Sequence, residues 1–94
     1  MTFVRITTKA FRRDLRRLRK SGYRLEKLEE AIDILASGQL LPPSYADHPL
    51  HGDFEGQKEC HIGPDWLLRY SKDKSLLILV LIRTGTHRDA LGIE

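Results

Sequence analysis

A hairpin in the second half of the chain decides the fold, and it is encoded by Cys60-His61-Ile62-Gly63-Pro64-Asp65-Trp66. The Gly-Pro pair predicts a turn, because glycine and proline interrupt regular structure more strongly than other residues. Residues 54–62 before the turn and 66–71 after it are predicted to form strands. A tight turn brings His61 and Asp65 together, and an imidazole beside a carboxylate suits proton transfer near neutral pH. The same pattern also occurs as an ordinary turn with a solvated histidine.

Successive side chains point to opposite faces along the strand predicted for residues 54–62. One face carries Phe54, Gly56, Lys58, Cys60 and Ile62, and the other carries Glu55, Gln57, Glu59 and His61. His61 is therefore predicted to lie on the polar face of the strand. Cys60 shares its face with apolar residues, which favours a buried thiol over a nucleophile.

Two amphipathic helices are predicted upstream of the hairpin. A short strand is expected at residues 2–6, a helix capped by Thr7 or Thr8 runs to about residue 20, and a second helix covers residues 24–36. Apolar side chains recur at helical spacing in both, namely Phe11, Leu15 and Leu18, then Leu25, Leu28, Ile32 and Leu35. Because the connector is short, the helices are predicted to pack as an antiparallel pair.

The rest of the chain completes a sheet. Residues 66–71 and 76–82 are predicted to form strands joined by a polar turn at residues 72–74. Residues 41–50 contain three prolines and are predicted to be a loop. The element order is therefore β-α-α-β-β-β, which predicts one α+β domain over residues 1–94 with a mainly antiparallel sheet and the helices on one face.

Positive charge is concentrated at one end of the chain. Residues 1–30 carry a net charge of +6, whereas residues 31–94 carry −3. One face of the first helix consists of Arg12, Arg13, Arg16, Arg17, Arg19 and Lys20, and this density favours binding to a polyanion. The single cysteine excludes an internal disulfide and fits a reducing cytoplasm. Neither the N-terminus nor the longest apolar run predicts a membrane segment.

The polar residues of the hairpin and of the last strand are predicted to converge. Two consecutive hairpins bring the end of the last strand, Arg83–His87, to the sheet edge that holds the Gly-Pro turn. Imidazoles, a carboxylate, an arginine and an indole suit metal-free RNA cleavage, in which a ribose 2′-hydroxyl attacks the adjacent phosphorus. Arg83 is a candidate for stabilising the phosphate, and Trp66 is a candidate for stacking on a base.

The sequence does not favour a metal or cofactor site. His48-x-x-His51 and Cys60-His61 are poor arrangements for zinc ligands. A glycine-rich phosphate loop is absent from the sequence. We therefore predict no metal and no cofactor.

Several motifs together resemble a known family. They are Asp47-His48-Pro49-Leu50, Gly52, Gly56, the hairpin stretch from Cys60 to Trp66, and Arg83-Thr84-Gly85-Thr86-His87. In order and spacing they resemble the YafQ-type toxins of the RelE/ParE superfamily, which belong to type II toxin–antitoxin modules. The resemblance covers about residues 40–91, and over residues 1–38 only the layout of strand and helices matches. It implies a RelE-like fold and a cytoplasmic endoribonuclease that cuts mRNA in the A site of the small (30S) ribosomal subunit. It also implies a DinJ-like antitoxin, which blocks the toxin and helps to bind operator DNA.

The resemblance also implies roles for individual residues. The active-site positions of the family fall on His48, His61, Asp65, Trp66, Arg83 and His87. We expect His87 and Asp65 in proton transfer, His48 and His61 to complete the acid–base set, and Arg83 to stabilise the phosphate. Which residue is base and which is acid stays open. Ribosomal RNA is expected to bind the basic helix through Arg12, Arg13, Arg16 and Arg17. Leu91 stands where the family often has an aromatic residue, so apolar contact with a base replaces stacking and the nucleotide preference is open.

Two other functions are compatible with the general features of the chain. A ParE-like toxin would inhibit DNA gyrase without nuclease chemistry, and a binding module would use its basic helix alone. The group of His48, His61, Asp65 and His87 favours the nuclease, because a gyrase inhibitor has no need of acid–base residues.

Overall fold

The protein folds as two helices and a five-stranded sheet, in a computed structural model that describes residues 2–86. The strands are β1 (Val4–Thr7), β2 (His48–Pro49), β3 (Lys58–Gly63), β4 (Trp66–Asp73) and β5 (Ile78–Gly85), and the helices are α1 (Lys9–Lys20) and α2 (Leu25–Ala36). The sheet order is β1-β5-β4-β3-β2, with β1 parallel to β5 and the other neighbours antiparallel. Among the described residues, no helix is long and apolar enough to cross a membrane.

Both helices begin and end where their sequences predict. Thr8 caps α1, since its hydroxyl oxygen accepts a hydrogen bond of 2.9 Å from the amide of Phe11. The same hydroxyl donates to the carbonyl of Ile82 at 2.7 Å, which joins the start of α1 to β5. After α2, Gly38 has a φ of 86°, a conformation that glycine adopts readily at the end of a helix.

The core lies between the helices and one face of the sheet. The apolar stripes of α1 and α2 meet the sheet residues Cys60, Ile62, Leu68, Tyr70, Leu79 and Leu81, all of which are buried. This arrangement confirms the predicted α+β fold with its helices on one face. It also confirms the prediction that Cys60 is a buried thiol.

The predicted boundary of β3 is wrong at its N-terminal end. Residues 52–54 form a turn of 3-10 helix, and Gly56 has a φ of 93°, so the strand begins only at Lys58. Phe54 was predicted to share a face with Cys60. Its ring instead lies 4.3 Å from the guanidinium carbon of Arg69, which is on the opposite face of the sheet. The predicted loop of residues 41–50 also contains the two-residue strand β2.

The last strand is displaced from its predicted position. Residues 76 and 77 belong to the turn before β5, where Leu77 has a φ of 55° and the carboxylate of Asp73 accepts a hydrogen bond from the amide of Leu76. The strand then continues through Arg83 and Thr84 to Gly85. The apolar run therefore indicated the strand, but polar residues that pair with β4 extend it.

Candidate active site

A row of charged and imidazole side chains crosses four strands of the sheet. His48 lies opposite Glu59, Glu59 lies opposite Arg69, and Arg69 lies opposite Arg83. Directly opposed residues share a face of a sheet. Along β3 and β4, the residues that alternate with those of the row belong to the core. The row therefore lies on the face of the sheet turned away from the helices, which we call the charged face. His61 is on the same face, opposite Leu67 and closer to the hairpin turn.

Contacts on both sides of His48 fix its position. The preceding residue, Asp47, accepts hydrogen bonds from the hydroxyl of Tyr70 at 2.6 Å and pairs with the ammonium of Lys58 at 3.0 Å. Burial and the hydrogen bond to Asp47 raise the pKa of the Tyr70 hydroxyl, so it stays a donor. The Nδ1 atom of His48 lies 2.8 Å from the carbonyl oxygen of Ala46, and Nε2 lies 3.2 Å from Glu59. Because Nδ1 donates to that carbonyl, Nε2 is directed at the carboxylate.

Glu59 places a carboxylate in the middle of this face. The residue is only 4% exposed, and its Oε1 atom contacts His48. Its Oε2 atom is buried and has no hydrogen-bond partner among the described residues. The ring of His61 lies 6.1 Å from that of His48, measured between centroids. Two imidazoles thus flank one buried carboxylate, and such a group can hold or move a proton.

Two arginines lie side by side in the same row. Arg69 is 8% exposed, its guanidinium covers the ring of Phe54, and its Nε atom is buried without a hydrogen-bond partner in the described part of the chain. Burial lowers the pKa of Arg69, and the positive charge of Arg83 lowers it further, whereas Glu59 and Asp14 act in the opposite direction. Adjacent guanidinium groups concentrate positive potential, which favours a phosphate group.

Asp14 of α1 orients Arg83. This carboxylate is fully buried and accepts four hydrogen bonds: from Nε and Nη2 of Arg83 at 2.7 and 3.2 Å, from the amide of Thr84 at 3.1 Å, and from Arg17 at 2.9 Å. The contact is possible because the pairing of β5 with β1 ends at Leu81. A buried charge is tolerated when it is paired and hydrogen-bonded in this way. Asp14 therefore fixes the plane of the Arg83 guanidinium.

The structure brings together most of the residues predicted for the site. His48, His61 and Arg83 lie along neighbouring rows of the sheet, and Asp65 is exposed in the turn at the same end. Gly85, at the end of β5, lies opposite Leu67, which confirms the predicted convergence of the hairpin and the last strand. His87 and Leu91 lie outside the described residues.

The structure contradicts the predicted role of Trp66. Its side chain was expected to project from the turn and stack on a base, but the residue is 5% exposed. The indole Nε1 donates a hydrogen bond of 3.0 Å to the hydroxyl of Thr84, and the ring meets that of Tyr23 edge-on at 5.0 Å between centroids. Trp66 is therefore a core residue that joins the start of β4 to the end of β5.

The basic face of α1 is exposed as predicted. Arg12, Arg13, Arg16 and Arg17 all lie at the surface. Arg12 donates to the carbonyl and hydroxyl oxygens of Thr7, and Arg17 donates to Asp14. Asp14 thus contacts both the basic helix face and Arg83.

Three residues of the candidate site were not predicted from the sequence, although the position of each in the sequence is informative. Asp14 stands at helical spacing between Phe11 and Leu18, on the stripe that packs against the sheet. Arg69 interrupts the apolar and aromatic run of residues 66–70. Glu59 alternates with Cys60 and shares the face of His61, although nothing in the sequence showed that it would be buried.

Cys60 is expected to be unreactive in the folded protein. The residue is fully buried, and burial, with the charges of Asp47 and Glu59, raises the pKa of the thiol to about 12. Since the thiolate is the reactive form, iodoacetamide at pH 8 should label the native protein more than about 100-fold more slowly than a free cysteine. Mass spectrometry follows the labelling, and the urea-unfolded protein is the control. Equal rates in the folded and unfolded states would contradict the buried position.

Comparisons with known proteins agree with this fold. A family model described as "Bacterial toxin of type II toxin-antitoxin system, YafQ" matches residues 4–92. The chain is 35% identical to the mRNA interferase toxin YafQ of Escherichia coli K12 over 83 residues, which cover 87% of this chain and 88% of that protein. It is similar to the crystal structure of the E. coli DinJ–YafQ complex, with a TM-score of 0.83 and 30% identity over 90% of this chain and 93% of that chain. A metal-bound toxin from Helicobacter pylori gives a TM-score of 0.85 and 40% identity over 95% and 98% of the two chains.

These similarities define the class of protein. The helix pair and the mixed five-stranded sheet agree with the RelE-like arrangement that the sequence motifs implied. The chain belongs to the YafQ family of bacterial toxins from type II toxin–antitoxin systems.

Proposed function

We propose that this toxin is a ribosome-dependent endoribonuclease that cleaves mRNA by acid–base catalysis without a metal cofactor. The observation that carries the proposal is the row of His48, Glu59, Arg69 and Arg83, with His61 beside it, on one face of the sheet. The chain's similarity to an mRNA interferase toxin supports mRNA as the substrate that is cleaved. We also propose that it acts in the cytoplasm, is blocked by a DinJ-like antitoxin and binds operator DNA only in complex with that antitoxin. The crystal structure of an E. coli DinJ–YafQ complex supports a DinJ-like protein as the partner.

The chemical steps require one base, one acid and a cation. The base removes the proton from a ribose 2′-hydroxyl, and that oxygen attacks the adjacent phosphorus. The acid protonates the departing 5′-oxygen, which leaves a 2′,3′-cyclic phosphate and a new 5′-hydroxyl end. We assign the proton transfers to the set of His48, His61, Asp65 and His87.

The two arginines supply the cation. Arg83, whose guanidinium plane is fixed by Asp14, stabilises the charge that develops on the phosphoryl oxygens. Arg69 lies beside it and strengthens the positive potential at the same place. The buried carboxylate of Glu59 orients His48 within this set.

Cleavage assays test this proposal. Purified protein is incubated with mRNA in the presence and absence of ribosomes, and the ends of the fragments are mapped. At low protein concentration we expect fragments only with ribosomes, each with a 2′,3′-cyclic phosphate and a 5′-hydroxyl end. Because ribosomes need magnesium, the metal requirement is measured on a short RNA at high protein concentration with EDTA. Cleavage of that RNA only after a divalent metal is added would contradict the metal-free mechanism. Inhibition of DNA gyrase by a protein that does not cleave RNA would instead support the ParE-like function.

The basic helix is expected to bind the ribosome. Arg13→Glu combined with Arg16→Glu should weaken binding to ribosomes by at least about tenfold and reduce its dependence on salt, because fewer phosphate contacts release fewer counterions. Binding is measured by co-sedimentation at several salt concentrations. The matched control is Arg24→Glu with Lys74→Glu, which makes the same change of charge at exposed positions elsewhere. Equal losses in both double variants would show that net charge, and not the basic helix, sets the affinity.

A further inference from the structure

A recess opens at the edge of the sheet beside His61. It has a volume of about 250 Å³ and is lined by Lys27 of α2, by Ser44 and Tyr45 of the segment before β2, and by His61 and Ile62 of β3. β2 pairs with β3 only at residues 58 and 59, and in the described part of the chain no strand pairs with the outer edge of β3 beyond them. The recess therefore leads to His61 along the edge of the sheet.

The position of Tyr45 is set by the segment that also carries His48. Residues 43–45 form a turn of 3-10 helix that packs against β3. Ala46 then has a φ of 49°, a left-handed conformation that is strained for a residue other than glycine and is common at functional sites. Asp47 follows, and its contacts with side chains of β3 and β4 anchor the segment. Tyr45 and His48 are therefore placed by the same anchored stretch of chain.

The ring of Tyr45 is available for stacking. It is half-buried, packs against the core and also lines the recess. Burial raises the pKa of its hydroxyl, and the negative charge of Glu30 raises it further, so the side chain stays neutral near pH 7. A neutral aromatic ring that is held against the core is a surface on which a nucleobase can stack. Trp66, the aromatic residue predicted for this role, is itself buried.

The other polar side chains of the recess suit the backbone of RNA. Lys27 supplies an ammonium group from the first turn of α2, and Ser44 supplies a hydroxyl that can donate or accept a hydrogen bond. Lysine and serine are both common contacts of phosphate oxygens. The volume of about 250 Å³ lies just below the range of about 300–1,000 Å³ for drug-sized ligands, so the recess suits one nucleotide and not a longer stretch.

We propose that the recess binds one nucleotide of the mRNA, next to the phosphate that is cleaved, with Tyr45 stacked on its base and Lys27 in contact with a phosphate. This subsite rests on the proposed function, because His61 lines the recess and belongs to the acid–base set. It holds the strand at the edge of the sheet and brings the neighbouring phosphate to the charged face. Every base can stack on an aromatic ring, so the subsite positions the strand without selecting its sequence.

Binding is measured with a trinucleotide RNA in which fluorine replaces every 2′-hydroxyl group, so that the protein cannot cleave it. NMR titration gives the Kd, and circular dichroism confirms that each variant is folded. Tyr45→Ala should weaken binding by about 5–100-fold, the usual effect of removing one stacked aromatic side chain. Tyr45→Phe should restore most of the affinity, because the ring is retained.

Lys27→Gln tests the phosphate contact without disturbing the core, since Lys27 is exposed. It should reduce the slope of log Kd against log salt concentration by about 0.7, the value for one phosphate of a single strand. Lys74→Gln is the matched control, because it removes the same charge from an exposed lysine outside the recess. The control should leave the slope unchanged, and equal changes in the two variants would overturn the contact.

Cleavage is measured separately from binding. On programmed ribosomes, Tyr45→Ala and Lys27→Gln should slow single-turnover cleavage while co-sedimentation with ribosomes stays unchanged, because a strand that is held less well reacts more slowly. Unchanged binding of the trinucleotide in either variant, or no binding by the unaltered protein, overturns the subsite. A protein that binds the trinucleotide through both residues but never cleaves mRNA would leave the subsite standing and refute the proposed nuclease.

Discussion

Replacing Asp14 by alanine should lower the free energy of unfolding by about 3–5 kcal/mol, because it removes the fully buried carboxylate of an ion pair together with the hydrogen bonds that this carboxylate accepts. Arg83 loses two hydrogen bonds, and the buried amide of Thr84 loses the hydrogen bond that it donates to Asp14. A domain of this size has a stability of about 5–15 kcal/mol, so the loss is a large fraction of the total. Urea denaturation measures it as a lower midpoint with an unchanged slope.

Asp33→Ala is the control for this prediction. Asp33 pairs with Arg5 at the surface, where the side chains are 65% and 47% exposed, and such pairs contribute about 0–1 kcal/mol. Asp14→Asn should fall between the two, since it keeps an acceptor for Arg83 but removes the charge. If Asp14→Ala were no more destabilising than Asp33→Ala, the buried network would not stabilise the fold.

Replacing His61 by alanine should reduce mRNA cleavage by about 10²–10⁴-fold, the usual contribution of a group that transfers protons. His61 lies on the charged face and is only partly buried, so its loss should change stability little. The reduction should appear in kcat, while binding to ribosomes stays unchanged because the basic helix is intact. Single-turnover cleavage on programmed ribosomes and co-sedimentation measure the two quantities.

His51→Ala is the matched control for His61→Ala. Both changes remove an imidazole, but His51 lies before the turn of residues 52–54 and outside the group of His48, Glu59 and His61. His51→Ala should therefore cleave at the normal rate. Full cleavage by His61→Ala, at equal concentration and with normal folding, would remove this residue from the acid–base set.

The sequence predicted the parts of the fold that depend on local signals. Helical spacing and the Thr8 cap placed α1 correctly, and the Gly-Pro turn placed the hairpin of β3 and β4. The start of β3 was wrong because Gly56 allows a backbone conformation that ends the alternation pattern. The strand β2 is only two residues long, so its pairing with β3 depends on tertiary contacts and leaves little trace in the sequence.

The site was only partly predictable for a related reason. The motifs indicated His48, His61 and Arg83. The roles of the neighbouring residues depend on whether their side chains are buried, and the motifs do not show this. The sequence made Trp66 a candidate for stacking on a base because its indole ring can do so, whereas the hydrogen bond to Thr84 holds it in the core. The irregular pairing between β4 and β5 near Tyr70 lets both Leu81 and Thr84 be buried, and strict alternation does not predict this.

The contacts of Asp14 have a geometric consequence for a nuclease of the proposed kind. One carboxylate joins α1, which carries the basic face, to the end of β5, which carries Arg83. The contact therefore fixes the spacing between the basic helix face and Arg83. A nuclease that anchored its basic helix on ribosomal RNA would then select a phosphate by its distance from that anchor, before it reads any base.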